Sequence, residues 1–166
     1  MVINLDNSRA LPDKTYWIFD IIDFAERELS EESLIGKLKL EKLNVKVREE
    51  LRQDNLYTDQ WTLVRNFRGP TDPGLSRLLD KYQKLELFEL EEIMNKTVKY
   101  RLTNKGKRFK QGCEKYFSKI NPNFQNINDK VHTMLSKEIN KSGKELVETS
   151  EEIQEMKKKF LGEKIR

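Results

Sequence analysis

The chain has 166 residues, with 32 Lys and Arg against 28 Asp and Glu, and a formal net charge of +4. A mean hydropathy of −0.80 speaks against a membrane protein, and no apolar run approaches the roughly 20 residues of a bilayer span. The 36% of hydrophobic residues are too many for a disordered chain. One Cys and one His leave no internal disulfide and no Cys/His zinc site. We therefore expect a cytoplasmic protein without metal or cofactor.

The N-terminal third is predicted to be helical after a short tail. Residues 1–12 are polar and lack the pattern of a signal peptide, which predicts an N-terminal tail. Apolar residues at helical spacing then begin near Trp17, with Asp13 as a candidate N-cap, and predict a first helix. A second helix is predicted from Ser30 or Ser33, and a third over residues 48–56. Residues 44–47 between them are typical of either a turn or a strand.

The titratable side chains of this sequence do not form a recognisable catalytic set. The first helix carries four carboxylates, Asp20, Asp23, Glu26 and Glu28. Because no histidine partner or pocket motif accompanies them, they are predicted to lie on a solvated face. His132 is predicted to be structural, at the surface or half buried. Cys113 is predicted to be a buried structural thiol, with a redox sensor as the alternative. No phosphate-binding loop or nucleophile elbow is present, and we expect no enzyme.

The central stretch predicts a strand, a turn and a short helix. Residues 60–67 alternate and favour a strand, which we expect to pair as an edge strand with a later hairpin. Asp72 is a candidate N-cap, and Pro73 suits the first helical position because its φ is already helical. The following apolar residues recur at helical spacing and predict one buried stripe, Leu75, Leu78, Leu79, Tyr82 and Leu85. Another stripe of this helix is basic, with Arg77, Lys81 and Lys84.

The sequence after this helix changes to a two-residue period, which predicts a β-hairpin. One strand begins at Phe88, residues 94–96 form the turn, and residues 97–102 form the second strand. Thr103 or Asn104 can cap the next helix. Helix, hairpin and helix in this order are typical of the second half of a winged helix. The predicted fold class is therefore mostly α with a small β-hairpin, a winged helix-turn-helix over residues 13–120 with a C-terminal helical extension over residues 121–166.

Two short motifs resemble known winged-helix families. Residues 100–107 read YRLTNKGK and resemble the Y-x-L-T-x-K-G ending at which the second wing strand enters the next helix in PadR-like and MarR-like regulators. Residues 67–75 read FRGPTDPGL and are similar to the G-P-[YF]-[DS]-x-x-L run of YwgA-like small prokaryotic winged-helix proteins. Thr71 stands where an aromatic is usual. The combined resemblance covers residues 61–109 and implies a winged-helix regulator.

The basic charge is concentrated on the predicted hairpin and the helix that follows it. Residues 96–119 contain nine Lys and Arg and a single acidic residue, Glu114. Clustered cations gain from counterion release when they meet the phosphates of a duplex. We therefore predict a DNA-binding protein, a transcriptional regulator acting as a homodimer, with Arg77 as the best candidate for a base contact. The predicted DNA contacts are Ser76, Arg77, Lys81, Lys84, Lys96, Lys99, Lys105, Lys107 and Arg108.

A protein-interaction module with the same fold is the alternative function. Asp80 interrupts the basic stripe. The first hairpin strand is acidic, because it contains Glu89, Glu91 and Glu92 and follows closely after Glu86. Such carboxylates repel phosphate if they face the duplex. DNA binding therefore loses ground if these glutamates share one surface with Arg77, Lys81 and Lys99.

The C-terminal residues predict two further helices. The first runs through residues 124–139. The second is predicted over residues 144–165 as one helix with a heptad pattern, in which Leu146, Ile153, Met156 and Phe160 are candidate interface residues. Two uses of this apolar seam stay open: contact with a second copy or a partner protein, or docking on the protein's own domain.

Overall fold

A computed structural model describes residues 12–29, 35–54, 56, 61–93 and 97–166. The predicted tail before residue 12, the caps Ser30 and Ser33, and the hairpin turn with Lys96 lie outside the described residues. Seven helices lie within these ranges: α1 (Lys14–Glu28), α2 (Lys37–Gln53), α3 (Pro73–Lys84), α4 (Asn104–Ile120), α5 (Phe124–Glu138), α6 (Gly143–Thr149) and α7 (Glu151–Lys157). Six strands accompany them: β1 (Ile35–Gly36), β2 (Leu63–Asn66), β3 (Gly69–Thr71), β4 (Phe88–Ile93), β5 (Thr97–Leu102) and β6 (Lys164–Ile165).

Helix α1 is the central element of the core. Asp13 caps it as predicted, because its carboxylate accepts a hydrogen bond from the Tyr16 backbone N–H at 3.1 Å. From residue 16 to residue 22 every side chain is buried, Asp20 included. A helix that is apolar on all sides is surrounded by other elements and has no wet face. The predicted solvated face of α1 is therefore wrong at Asp20.

Helix α2 is continuous across the stretch where a break was predicted. The predicted second helix does not run through Ile35 and Gly36, because these residues form strand β1. The prediction of a separate helix over residues 48–56 is wrong, because one helix spans Lys37–Gln53. Val45 and Val47, which are weak helix formers, are both buried in hydrophobic clusters. Asn44 is also buried, and its Oδ1 accepts a hydrogen bond from Trp61 Nε1 at 2.5 Å. Burial thus overrides the local preference for a turn.

Two small antiparallel sheets flank the helices, in the strand orders β1-β5-β4 and β3-β2-β6. The predicted hairpin is confirmed as β4 and β5, with Phe88 opposite Leu102. The predicted pairing of the preceding strand with this hairpin is wrong, because β2 pairs with β3 and β6. It is β1 that lies beside β5, with Ile35 opposite Tyr100.

Helices α3 and α4 begin where the sequence predicts. Asp72 accepts from the Gly74 backbone N–H at 2.8 Å, ahead of Pro73. Thr103 caps α4 by accepting from the Gly106 N–H at 3.0 Å. Leu75 and Leu79 of the predicted apolar stripe of α3 are buried, and Leu78 and Tyr82 pack partly buried against the same core. Leu85, at the end of the stripe, is exposed.

The C-terminal helices complete the core of the same chain. Residues of α5 and α6, from Phe124 to Leu146, share one hydrophobic cluster with α1. The prediction of one helix over residues 144–165 is wrong, because Ser150 ends α6 and its side chain caps α7. Ile153 and Met156 lie in a second cluster with β2 and β6.

The predicted partner seam is therefore largely used inside the molecule. Leu146 and Ile153 are fully buried and Met156 is 8% exposed, whereas Phe160 is 85% exposed. Three of the four predicted interface residues thus dock on the protein's own domain and leave Phe160 as the exposed member. Among the helices of the described ranges, none has the length and apolar character needed to cross a bilayer.

Candidate functional site

The exposed face of α3 carries a basic stripe. Arg77, Lys81 and Lys84 are exposed, and their spacing of four and three residues puts them on one face of the helix. Within the part of the chain that the structure describes, none of the three forms an ion pair. Ser76 lies next to the stripe and is half buried. Lys81 also lies over the ring of Tyr82, 5.6 Å from its centroid.

Asp80 flanks this stripe on the side that faces β5. It lines a cleft together with Tyr100. Burial raises the pKa of Tyr100, and the nearby Asp80 carboxylate raises it further. The negative charge of Asp80 is therefore directed toward the sheet, at the edge of the basic stripe.

The outer face of the β4–β5 hairpin mixes both signs of charge. Glu89 lies opposite Arg101, and Glu91 lies opposite Lys99. Residues directly opposite each other in an antiparallel pair share a face of the sheet. The two glutamates and the two basic residues therefore form one surface without net charge. This surface makes Lys99 a less suitable phosphate contact than predicted, because Glu91 lies directly opposite it.

The basic residues at the start of α4 point in different directions. Lys105 Nζ donates a hydrogen bond to the Leu85 carbonyl at 2.9 Å, which brings this charge to the C-terminal end of α3. Lys107 Nζ lies 3.6 Å from Glu26 Oε2, on the side of α1. Arg108 is exposed. Of the predicted contacts after the hairpin, Lys105 thus adjoins α3, whereas Lys107 is turned toward α1.

A buried Asp–His pair lies in a different part of the molecule, between α1 and α5. Asp20 is 0% exposed, and Nε2 of His132 lies 2.8 and 3.0 Å from its two carboxylate oxygens. Because a carboxylate only accepts hydrogen bonds, Nε2 carries the proton in this pair. The structure thus brings together two residues that lie 112 positions apart in sequence. This contact was not predicted, since Asp20 was expected on a solvated face without a histidine partner.

Lys110 of α4 extends the pair into a charged network. Its ammonium lies 3.3 Å from Asp20, 3.0 Å from Asp23 and 2.7 Å from Glu114. Burial alone lowers the pKa of Lys110, but the three carboxylates outweigh it and the pKa is raised. The carboxylates face a lysine, and in the described ranges no group of three His, Cys, Asp or Glu side chains is arranged to hold a metal ion.

A polar cavity of about 590 Å³ adjoins this network and is lined by Lys110, His132 and Asn128 among others. Tyr16 donates to Asn128 Oδ1 at 3.1 Å. Burial, together with the carboxylates of Asp20 and Glu114, raises the pKa of the Tyr16 phenol. Burial likewise raises the pKa of the half-buried Cys113 thiol, which disfavours a reactive thiolate. The network joins α1, α4 and α5 by polar contacts.

One signal for this network was present in the sequence. Residues 16–25 contain apolar side chains at almost every position except Asp20 and Asp23. Such a helix has no polar face to expose to solvent, so its carboxylates need a buried partner. The identity of the partners follows only from the three-dimensional arrangement.

In comparisons with protein-family models, curated proteins and solved structures, the chain gave no match.

Proposed function

We propose that this protein is a winged-helix protein that binds double-stranded DNA through α3. The observation that carries the proposal is the basic stripe of Arg77, Lys81 and Lys84 on a helix that directly precedes the β4–β5 hairpin. In helix-turn-helix proteins the second helix of the motif enters the major groove and presents its outer face to the bases. An exposed, unpaired basic face suits that position.

The chain order and the strand order support the winged-helix assignment. The elements α1, β1, α2, α3, β4 and β5 follow one another, with β2 and β3 inserted before α3. Strand β5 lies between β1 and β4, which is the arrangement expected of a three-stranded wing sheet. The N-cap of α3, Asp72, also pairs with Lys14 at 2.8 Å, which connects the start of α3 to the start of α1.

The positions of the basic side chains restrict the proposed DNA surface to α3 and the beginning of α4. Lys105 adjoins the end of α3 and Arg108 is exposed, so both can extend the stripe along a phosphate backbone. On the outer face of the described hairpin strands, Glu89 and Glu91 offset Arg101 and Lys99. A regulator role is proposed from DNA binding and the family resemblance. The proposal concerns the single chain, because three of the four residues of the predicted dimer seam are buried.

The DNA-binding proposal predicts a steep salt dependence that the α3 stripe controls. We expect the full-length protein to bind a random duplex of about 30 base pairs at low salt. The Arg77→Ala/Lys81→Ala variant should bind more weakly and lower the slope of log affinity against log salt by about 1–2, since each cation that meets a phosphate of a random duplex contributes roughly one. Fluorescence anisotropy of a labelled duplex at several salt concentrations measures both quantities.

A charge-matched control separates this surface from a general electrostatic effect. Lys144→Ala/Lys158→Ala removes the same charge from two exposed lysines, whose side chains are 82% and 70% exposed and which lie on α6 and directly after α7. This variant should keep the wild-type slope. If both double variants lose the same affinity and slope, binding follows net charge and α3 is not the recognition helix.

A protein-interaction module is the second candidate, and the hairpin favours it. The pairing of Glu89 with Arg101 and of Glu91 with Lys99 gives a mixed-charge face that suits a protein surface better than a line of phosphates. Absence of duplex binding at low salt would favour this candidate over DNA binding.

A further inference from the structure

A second basic site lies away from the α3 stripe, between α2 and the turn of the β2–β3 hairpin. A cavity of about 380 Å³ there is lined by Lys37, Glu41 and Lys42 of α2 and by Phe67, Arg68 and Thr71 of the hairpin region. The hairpin is held from its other side by Gly69, whose φ is +95° and whose missing Cβ leaves room for Ile153 and Lys157. The hairpin that forms one wall of the cavity therefore packs closely against α7 on its other side.

Three cations, Lys37, Lys42 and Arg68, line this cavity against one carboxylate, Glu41. In the described ranges, none of the seventeen ion pairs includes Lys37, Lys42, Arg65, Arg68 or Lys157. Burial lowers the pKa of Lys42; Glu41 opposes this, and the cations Arg68, Arg65 and Lys157 add to it. These cations are therefore close enough to repel the Lys42 ammonium. Glu41 is the nearby carboxylate.

Lys42 has hydrogen-bond donors that find no partner among the described residues. Lys42 is 1% exposed, and its ammonium has three donors but one hydrogen bond within the described part of the chain, to the Pro70 carbonyl at 2.6 Å. Arg65, whose buried NH1 also has no partner among the described residues, lies near Lys42 but is not among the residues that line the cavity. Buried cationic donors without an anion are costly, and an incoming anion would relieve that cost.

Phe67 stands at the rim of the same cavity and is 78% exposed. An exposed aromatic ring next to cations is the combination with which proteins stack a base and hold its phosphate. The cavity volume falls within the range of about 300–1,000 Å³ that is typical of small-ligand sites. Glu41 supplies the one carboxylate of the lining, and an acidic side chain is a usual acceptor for ribose hydroxyls.

We propose that this cavity binds a mononucleotide, with its phosphate held by Lys42 and Arg68 and its base stacked on Phe67. The site goes beyond the proposed DNA surface, because neither Arg77 nor Lys81 of α3 lines the cavity. A nucleotide bound here contacts α2 and the β2–β3 hairpin directly before α3, next to the capping residue Asp72.

Isothermal titration calorimetry of the full chain with AMP tests the phosphate contact. We expect AMP to bind at neutral pH and adenosine, which lacks the phosphate, to bind at least tenfold more weakly. Arg68→Ala should weaken AMP by about tenfold or more, since hydrogen bonds to charged groups contribute roughly 1.5–3 kcal/mol. Lys144→Ala, on a lysine whose side chain is 82% exposed on α6, should leave the affinity unchanged.

Two further measurements distinguish the parts of the site. Phe67→Ala should weaken AMP by about fivefold or more while leaving inorganic phosphate unchanged, because stacking contributes roughly 1–3 kcal/mol per base. AMP affinity should also fall as the pH rises from 7 to 9, since the pKa of Lys42 is lowered to about 8. The Lys42→Met variant should lose that pH dependence.

The proposal is overturned by no AMP binding at millimolar concentration, or by binding that Arg68→Ala and Phe67→Ala leave unchanged. A short oligothymidylate that binds where AMP does not would also overturn it and would assign the cations to a nucleic-acid backbone. Arg68 and Phe67 are exposed, so their variants stay folded. None of these three outcomes depends on the α3 stripe, whose duplex binding is measured with Arg77→Ala/Lys81→Ala.

Discussion

Replacing Gly106 with alanine should lower the free energy of unfolding by about 3 kcal/mol, the upper part of the usual range for overpacking. A Cβ at this position would lie 2.1 Å from the Leu87 carbonyl oxygen and 3.1 Å from its carbonyl carbon. The contact is with backbone, which cannot rotate away as a side chain does. The same carbonyl accepts from the Thr103 N–H at 3.1 Å, so any shift that relieves the clash also strains the junction between the hairpin and α4.

Gly112 in the same helix provides the matched control. A Cβ there meets no atom within 4 Å, and the residue lies in the interior of α4. Gly112→Ala should therefore raise the free energy of unfolding by about 0.5–1 kcal/mol, as alanine restricts the unfolded chain and favours helix. Urea unfolding followed by circular dichroism measures both variants. Equal shifts of the same sign would show that the close approach at Gly106 does not limit stability.

The part of the fold that the sequence predicts best is the part built from local signals. Asp72 with Pro73, and Thr103 with the following turn, identify the starts of α3 and α4 because a capping side chain and its backbone partner are two or three residues apart. The alternation in β4 and β5 is equally local. These elements agree with the structure to within a residue at their N-terminal ends.

The remaining elements depend on contacts between distant residues. Helix α2 runs through Val45 and Val47 because two separate clusters bury them, which no local propensity shows. Strand β6 is two residues long and exists through its pairing with β2, about 100 positions earlier in the chain. The same holds for the Asp20–His132 pair, whose members come from α1 and α5.

The direction of a side chain also limited the prediction of the basic surface. Residues 96–119 form one basic cluster in sequence, yet a helix distributes neighbouring residues over all its sides. Lys105 thus adjoins α3, Lys107 faces Glu26, and Lys110 is buried against Asp20. A local charge count therefore overestimates the cations that one DNA surface can use.

Replacing Lys110 with methionine should lower the free energy of unfolding by about 3–5 kcal/mol, the usual effect of removing one partner from a buried ion pair. Methionine keeps most of the side-chain volume but leaves Asp20, Asp23 and Glu114 without the ammonium that now lies within 3.3 Å of each. Asp20 is fully buried and would keep, among the described residues, only its contact with His132. Urea unfolding at neutral pH measures the difference.

The pH dependence of this difference distinguishes the ion network from a loss of packing. The pKa of Lys110 is raised in the folded protein because the carboxylates outweigh the effect of burial. A group with a raised folded pKa stabilises fully below its unfolded pKa and loses that stabilisation as the pH rises through the folded value. The gap between wild type and Lys110→Met should thus persist from neutral to mildly alkaline pH and narrow only above the ordinary lysine pKa of 10.5. The matched control is Lys115→Met, at an exposed position of the same helix. Its free energy of unfolding should stay within about 0.5 kcal/mol of the wild-type value. An equally small effect of Lys110→Met would show that the buried carboxylates do not depend on the lysine.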